Sequence, residues 1–205
     1  MKKNKLAILT SHPIQYQAPL FKTLARDPYI DCMVYFCWDF GVDKKSFDSE
    51  FKEYVQWDIP LLEGYAYQFL KNYAPQPSSG FWGQINFAII REVWSNKYDA
   101  IIVMGWNSFT NIMAMGTAWV RGTPVMIRGE NPMNQELLKS GTKRRIKKIV
   151  LGMLFRNASI MLCIGEENKK FYEYYGVPSK KLIMCRYAVD NERIVHAVEE
   201  SRKER

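Results

Sequence analysis

Three short polar stretches concentrate the residue types that can do chemistry. The first is the loop from Ser11 to Gln17, which holds His12, one of two histidines in the chain. A neutral imidazole near pH 7 can hydrogen-bond a hydroxyl or accept its proton. Ser11, Gln15 and Gln17 add hydroxyl and amide groups suited to sugar hydroxyls. The second stretch is Arg128-Gly129-Glu130-Asn131. Arginine is a permanent cation that binds phosphate or carboxylate in two-point geometry, and Glu130 can accept a hydroxyl proton. The third is Gly105-Trp106-Asn107-Ser108. Trp106 offers a flat face for a sugar ring or base, and Asn107 and Ser108 are good helix N-caps. Each set also has a plain structural reading. His12 can tie its loop to itself, Arg128 and Glu130 can form a local ion pair, and Trp106 can pack in a core. The functional reading makes His12 and Glu130 catalytic. It makes Ser11, Gln15, Gln17, Trp106, Asn107, Arg128, Gly129 and Asn131 substrate-binding.

The elements around these stretches explain why the three belong together. Leu6 to Leu9 is a short apolar run, followed by a turn at Thr10 to Pro13. Ile14 to Ala25 then carries Leu20, Phe21 and Leu24 on one helical face. Further strands are expected at Asp31–Trp38, Tyr54–Leu61, Asp99–Met104, Val125–Arg128, Ser159–Ile164 and Leu182–Cys185. Helices are expected at Gln84–Ser95, Phe109–Arg121, Thr142–Arg156 and Glu166–Tyr175. Asp190–Arg205 is charged, and helical or frayed. Tyr73 to Gly83 is rich in Pro, Ser and Gly and must be a loop. Its flanking Tyr73, Phe81 and Trp82 suit either a substrate lid or a ring-anchored surface loop. Alternating strands and helices predict an α/β fold, a Rossmann-like three-layer α/β/α domain with a mostly parallel sheet. Parallel strands gather their following loops on one edge, so Ser11–Ala18, Gly105–Ser108 and Arg128–Asn131 converge there.

Composition narrows the chemistry. There is no GxGxxG after the first strand and no GxxxxGK[ST], which disfavours a simple dinucleotide or P-loop site. No Asp-x-Asp occurs, against a metal–diphosphate site, and no GxSxG occurs, against a hydrolase triad. Cys32, Cys37, Cys163 and Cys185 form no CxxC pair and read as reduced, buried thiols. Together with two distant histidines this makes a structural zinc site a poor fit. The opening apolar run is too short for a signal peptide, and no run approaches the ~20 residues of a membrane span. The expected location is cytoplasmic, with the inner face of the membrane as an option.

Charge is uneven. Residues 1–100 carry 11 Lys+Arg and 11 Asp+Glu, whereas residues 101–205 carry 18 and 10, so the net +8 belongs wholly to the second half. An anionic partner or surface is implied there. The Thr142–Arg156 helix alternates cations with Ile146, Ile149, Val150, Met153 and Leu154. It can make a peripheral membrane contact, or pack its apolar face on the sheet and solvate its basic face; the second reading is favoured. Nucleic acid is not expected, because no binding motif accompanies the charge.

Four segments carry a family resemblance: SHPIQYQAPLFKTLA from Ser11, MIRGEN from Met126, GEENKKFYEYYGVPSKKL from Gly165 and YAVDNERI from Tyr187. In this order they resemble family 4 glycosyltransferases of the GT-B type. The resemblance implies two facing Rossmann-like domains with the active site between them. It also implies a retaining reaction without bound metal or other cofactor, with the nucleotide-sugar as donor substrate. By it, residues 1–188 are the N-terminal, acceptor-side domain and 189–205 a crossing segment or helical tail, with the donor domain absent. His12 lies beside the cleft, and Arg128-Gly129-Glu130 occupies a loop where many relatives carry a histidine. Glu192 and Glu200 show the spacing of the family's donor-domain glutamates but sit in the crossing segment, and read as a solvated helix face. The expected function is the acceptor-binding half of a glycosyltransferase acting on a glycan or lipid-linked acceptor, with a separate donor-domain chain as partner. The alternative is a non-catalytic glycan- or ligand-binding module.

Overall fold

The computed structural model describes residues 2–42, 47–48, 53–54, 60–137 and 141–187, together with Val195, Glu199 and Arg202. The chain begins with β1 (Asn4–Thr10), whose apolar run Ala7, Ile8 and Leu9 is fully buried. Burial on both faces is what a central parallel strand requires. Ile8 packs with Phe21, Leu20 and Leu24 of α1 (Ala18–Arg26) on one face of the sheet. Ala7 and Leu9 face the opposite cluster, to which the helices Ala88–Ser95, Phe109–Arg121, Gly141–Asn157 and Glu166–Tyr174 contribute buried residues and against which Met133 packs.

From β1 the chain moves outward through α1 to β2 (Ile30–Phe36). A short antiparallel pair follows, β3 (Phe47–Asp48) and β4 (Glu53–Tyr54), then edge strand β5 (Ala66–Phe69). It returns through α2 (Ala88–Ser95) to β6 (Ala100–Met104), on the other side of β1. Then come α3 (Phe109–Arg121), β7 (Val125–Arg128), α4 (Met133–Leu137), α5 (Gly141–Asn157), β8 (Ile160–Cys163), α6 (Glu166–Tyr174) and β9 (Leu182–Met184). The seven-stranded sheet has the order β5-β2-β1-β6-β7-β8-β9, with every pairing parallel. The direction of winding reverses between β1 and β6. A reversal of strand order opens a crevice at the carboxyl ends of the strands.

α3 shows why local chemistry sets these elements. Ser108 is extended at the N-cap, and its Oγ accepts the Asn111 N–H at 3.1 Å. Gly122 closes the helix at φ +78°, a conformation open to glycine. The expected α/β/α fold is present, with several local differences. The strand expected at Tyr54–Leu61 falls largely on residues outside those described, and Pro60 and Leu61 are not in a strand. The strand beside β2 is Ala66–Phe69, an edge strand with Ala66 and Tyr67 exposed and hence without an apolar run. α1 starts at Ala18, four residues later than expected, because Pro19 favours the first helical turn and Gln15 to Gln17 form a turn. α2 likewise starts at Ala88. Before it, buried Asn86 donates through Nδ2 to the carbonyls of Cys37 and Leu70, both at 2.9 Å, tying the segment to the loops after β2 and β5.

α5 departs most from expectation. Leu151 and Phe155 are buried, but Ile146, Ile149, Val150 and Met153 are exposed. The helix has apolar residues on two opposite sides, and the core covers one, with Phe155 against Trp106, Phe171, Tyr172 and Tyr175. Among the described residues no helix is long and apolar enough to cross a membrane. Cys32, Cys37 and Cys163 are buried and Cys185 half-buried, all as free thiols. The tail expected at Asp190–Arg205, with Glu192 and Glu200, lies outside the described residues except for Val195, Glu199 and Arg202.

Candidate functional site

A cavity of about 220 Å³ opens where the loops after β1, β6 and β7 meet. It lies at the β1/β6 reversal. Two glycines bring the loops together. Gly105 turns the chain after β6 at φ +100°, and its N–H donates to the Arg128 carbonyl at 2.7 Å. A Cβ at Gly129 would fall inside the Trp106 ring, so only glycine permits this approach. The Gly129 N–H donates to the Tyr172 hydroxyl at 2.9 Å. Burial keeps that hydroxyl protonated, pushing its pKa up.

Trp106 is 9% exposed. Its indole stacks on Phe171 at 5.7 Å and meets Phe155 edge-on at 4.9 Å. The ring is therefore part of the core while it also lines the cavity, and it leaves little surface for a sugar to stack on.

The cation at the centre is Arg128, the last residue of β7. It is 3% exposed and lines the cavity. Its Nη1 stands 3.8 Å from Glu130 Oε1, and its Cζ lies 4.9 Å from the centre of the Tyr187 ring. Its Nε is buried with no hydrogen-bond partner. A buried guanidinium normally has its donors satisfied, because an unpaired buried donor forfeits its hydration. Arg128 is under-served.

Glu130 is the opposite case. Its carboxylate is partly exposed and accepts the Tyr16 hydroxyl at 3.3 and 3.4 Å. Tyr16 in turn packs edge-on against Tyr187 at 4.9 Å. Burial first, then the charge and hydrogen bond of Glu130, push the Tyr16 phenol up to about 12. The same causes raise Tyr187. Both phenols therefore stay protonated, and Tyr16 serves Glu130 as a donor. The group is a carboxylate flanked by two phenols, beside a buried cation with a spare donor.

The other expected residues divide. Ser11, Gln17, Asn107, Gly129 and Asn131 line the cavity with Arg128 and Glu130. Gln17 is buried, and its Oε1 accepts the Thr10 hydroxyl at 3.0 Å, which orients the amide. The Asn131 carbonyl accepts from buried Asn168 at 3.1 Å, pinning the loop to α6. Gln15 and His12 are not among the lining residues. The His12 ring packs edge-on against Phe40 at 5.5 Å and Trp38 at 6.1 Å. Its Nδ1 lies 2.9 Å from the Ser11 hydroxyl, so it reaches the cavity through Ser11. A second, wider hollow of about 650 Å³ lies beyond β2 and β5, with Trp38, Asp39 and Lys71 in its wall. His12 thus packs on a residue of that hollow while touching a residue of the cavity.

Sequence reasoning did not single out Tyr16, Tyr187, Asn111 or Ser79 as site residues. Tyr16 sits between two glutamines that were selected, and the turn at Gln15 to Gln17 directs Tyr16 toward Glu130. The Tyr73–Gly83 loop contributes Ser79 to the cavity wall, while Trp82 is exposed and lies 5.3 Å from Phe109.

No family model matches the chain, and no curated protein matches it at a significant level. Solved structures do resemble it. A UDP-N-acetylglucosamine 2-epimerase matches with a TM-score of 0.54 and 12% identity, over 89% of this chain and 48% of that protein. Anabaena Alr3699/HepE, solved in complex with UDP-glucose, matches with a TM-score of 0.56 and 16% identity, over 91% and 44%. The lipopolysaccharide outer core galactosyltransferase WaaB, in apo form, matches with a TM-score of 0.52 and 12% identity, over 90% and 46%. The likeness is one of fold: a Rossmann-like α/β domain of the GT-B type. The chain spans a little under half the length of these proteins.

Proposed function

We propose that this chain is the acceptor-binding half of a retaining, metal-independent glycosyltransferase. The transfer runs from a nucleotide-sugar donor to a glycan or lipid-linked acceptor, and a donor-binding half supplied by another domain or chain completes the site. The observation that supports the reading most is Arg128, a nearly fully buried cation with an unpartnered Nε in the wall of the reversal-point cavity. A polyhydroxylated or anionic ligand supplies the missing acceptors. The neighbours whose names mention UDP-sugars or galactosyl transfer give the same direction to the reading.

In this account the acceptor lies in the cavity against Ser11, Gln17, Asn107 and Asn131. Arg128 donates to an acceptor oxygen. Glu130 is the exposed base able to take the acceptor hydroxyl's proton, held in place by Tyr16. His12 acts through the Ser11 hydroxyl. The donor phosphates belong to the donor-binding half.

The test is retention of the labelled 205-residue chain on an array of glycans, beside the Arg128→Gln variant. The reading expects retention on a restricted set of glycans, lost in the variant. Retention unaffected by Arg128→Gln contradicts it. Glycan retention combined with no sugar transfer after a donor half is supplied favours the alternative, a non-catalytic glycan-binding module.

A further inference from the structure

The exposed side of α5 is not explained by the sugar-handling reading. By the helix's 100° step, Ile146, Ile149, Val150 and Met153 fall within one arc of roughly 100°. They are 61%, 64%, 53% and 56% exposed. Leu151 and Phe155, which anchor the helix in the core, lie on the opposite side. Four large aliphatic side chains in one stripe, each more than half in water, form a patch that a soluble surface rarely carries without a partner.

Charge identifies the partner. The 17 residues of α5 contain six Lys and Arg and no Asp or Glu. Arg145 and Arg156 are exposed and border the stripe, and exposed Lys148 lies further round, its Nζ 4.2 Å from the Tyr174 ring. Lys143 and Arg144 stand in the first turn. Lys147 is turned inward, its Nζ 2.6 Å from buried Glu136. The helix therefore presents an aliphatic ridge with a cationic border. A second copy of the chain fits poorly, since a two-fold pairing of the ridge sets cations against cations. An anionic bilayer fits both parts. Its acyl boundary takes the aliphatic side chains and its headgroups take the arginines.

We propose that α5 docks the chain on a membrane of anionic lipid, lying in the interface plane with Ile146, Ile149, Val150 and Met153 inserted. The helix does not span the bilayer, because its other side is committed to the protein core. This docking stands whether or not the cavity binds sugar, although it would bring the cavity to a surface where lipid-linked acceptors reside.

The experiment is co-sedimentation of the 205-residue chain with vesicles of mixed phosphatidylglycerol and phosphatidylcholine, and with phosphatidylcholine alone. The docking predicts sedimentation with the anionic vesicles, at least roughly tenfold weaker on the neutral ones, and weakened by high salt. Ile149→Glu combined with Met153→Glu abolishes it. Both positions are exposed, so the thermal melt of the double variant stays at the parent value. Arg145→Ala and Arg156→Ala each lower binding roughly fivefold. Failure to sediment with anionic vesicles overturns the proposal, as does sedimentation that the double glutamate variant leaves unchanged. So does a doubled mass by light scattering, reversed by that variant, without vesicle binding; it assigns the ridge to a second copy. None of these readouts involves sugar, so the docking and the sugar-handling reading fail separately.

Discussion

Replacing Arg128 by methionine separates a ligand-binding cation from a structural one. At 3.8 Å its attraction to Glu130 is about 4 kcal/mol at an effective dielectric constant of about 20. The Glu130 side chain is 43% exposed, so screening leaves about 1–2 kcal/mol of this. Against it stands the desolvation of a guanidinium that is 3% exposed with an unpartnered Nε, a penalty of several kcal/mol. Breaking a buried ion pair usually costs about 3–5 kcal/mol, because the remaining charge is stranded. Here the remaining carboxylate stays in contact with water and keeps the Tyr16 hydroxyl. The desolvation outweighs the screened attraction, so Arg128→Met is expected to leave unfolding stability unchanged or raise it by up to about 3 kcal/mol. Ligand binding should respond differently. Loss of a hydrogen bond from a charged donor, about 1.5–3 kcal/mol, weakens a glycan by roughly 10- to 100-fold. Urea unfolding at pH 7 gives the first quantity and calorimetric titration with an array-selected glycan gives the second. A stability loss above about 3 kcal/mol with unchanged affinity would instead make Arg128 a structural residue.

Other positions carry sharp expectations. Gly129→Ala drives a methyl into the Trp106 ring and should cost about 1–3 kcal/mol in urea unfolding; an unchanged midpoint means the two loops are not in contact as described. Asn86→Ala leaves the Cys37 and Leu70 carbonyls without the donor they share, and a loss of about 2–4 kcal/mol is expected, with a loss under about 0.5 kcal/mol inconsistent with the buried network. Ser108→Ala removes the α3 cap at a cost of about 1 kcal/mol, which the same unfolding curves resolve, and Ser108→Asp should largely preserve stability. The Tyr16 phenol is raised from 10.0 to about 12 in the folded chain. A raised folded pKa means the folded state holds its proton longer. The associated stability is fully present below about pH 10 and is lost as pH rises toward 12. Absorbance titration at 295 nm should therefore show Tyr16→Phe leaving the folded chain's rise below pH 10.5 unchanged; a smaller rise in the variant means Tyr16 titrates normally.

The parts legible in the sequence were those whose signals are local. β1, β6 and β7 are short apolar runs buried on both faces, and α3 has a serine before it and a glycine after it. Their parallel arrangement then placed the loops at Ser11, Gly105 and Arg128 on one edge, as the cavity wall confirms. β5 was not legible, because Ala66-Tyr67-Gln68-Phe69 is a half-exposed edge strand and shows neither a run nor clean alternation. Periodicity showed α5 to be amphipathic but not which of its two apolar sides meets the core. The contact of Tyr16 and Tyr187 with Arg128 and Glu130 joins segments far apart in the chain. Such contacts depend on strand order and on the late start of α1. Trp106 illustrates a third limit. Residue type suits both a sugar platform and a core ring, and only the positions of Phe155 and Phe171 show how much of its surface is taken.

Amide chemical-shift mapping of the ¹⁵N-labelled chain titrated with an array-selected glycan locates the acceptor directly. Acceptor binding in the cavity gives saturable shifts centred on Ser11, Gly105, Asn107, Gly129, Glu130 and Asn131, absent in Arg128→Met. Saturable shifts centred on another surface, or shifts at the cavity that persist in the variant, would contradict it.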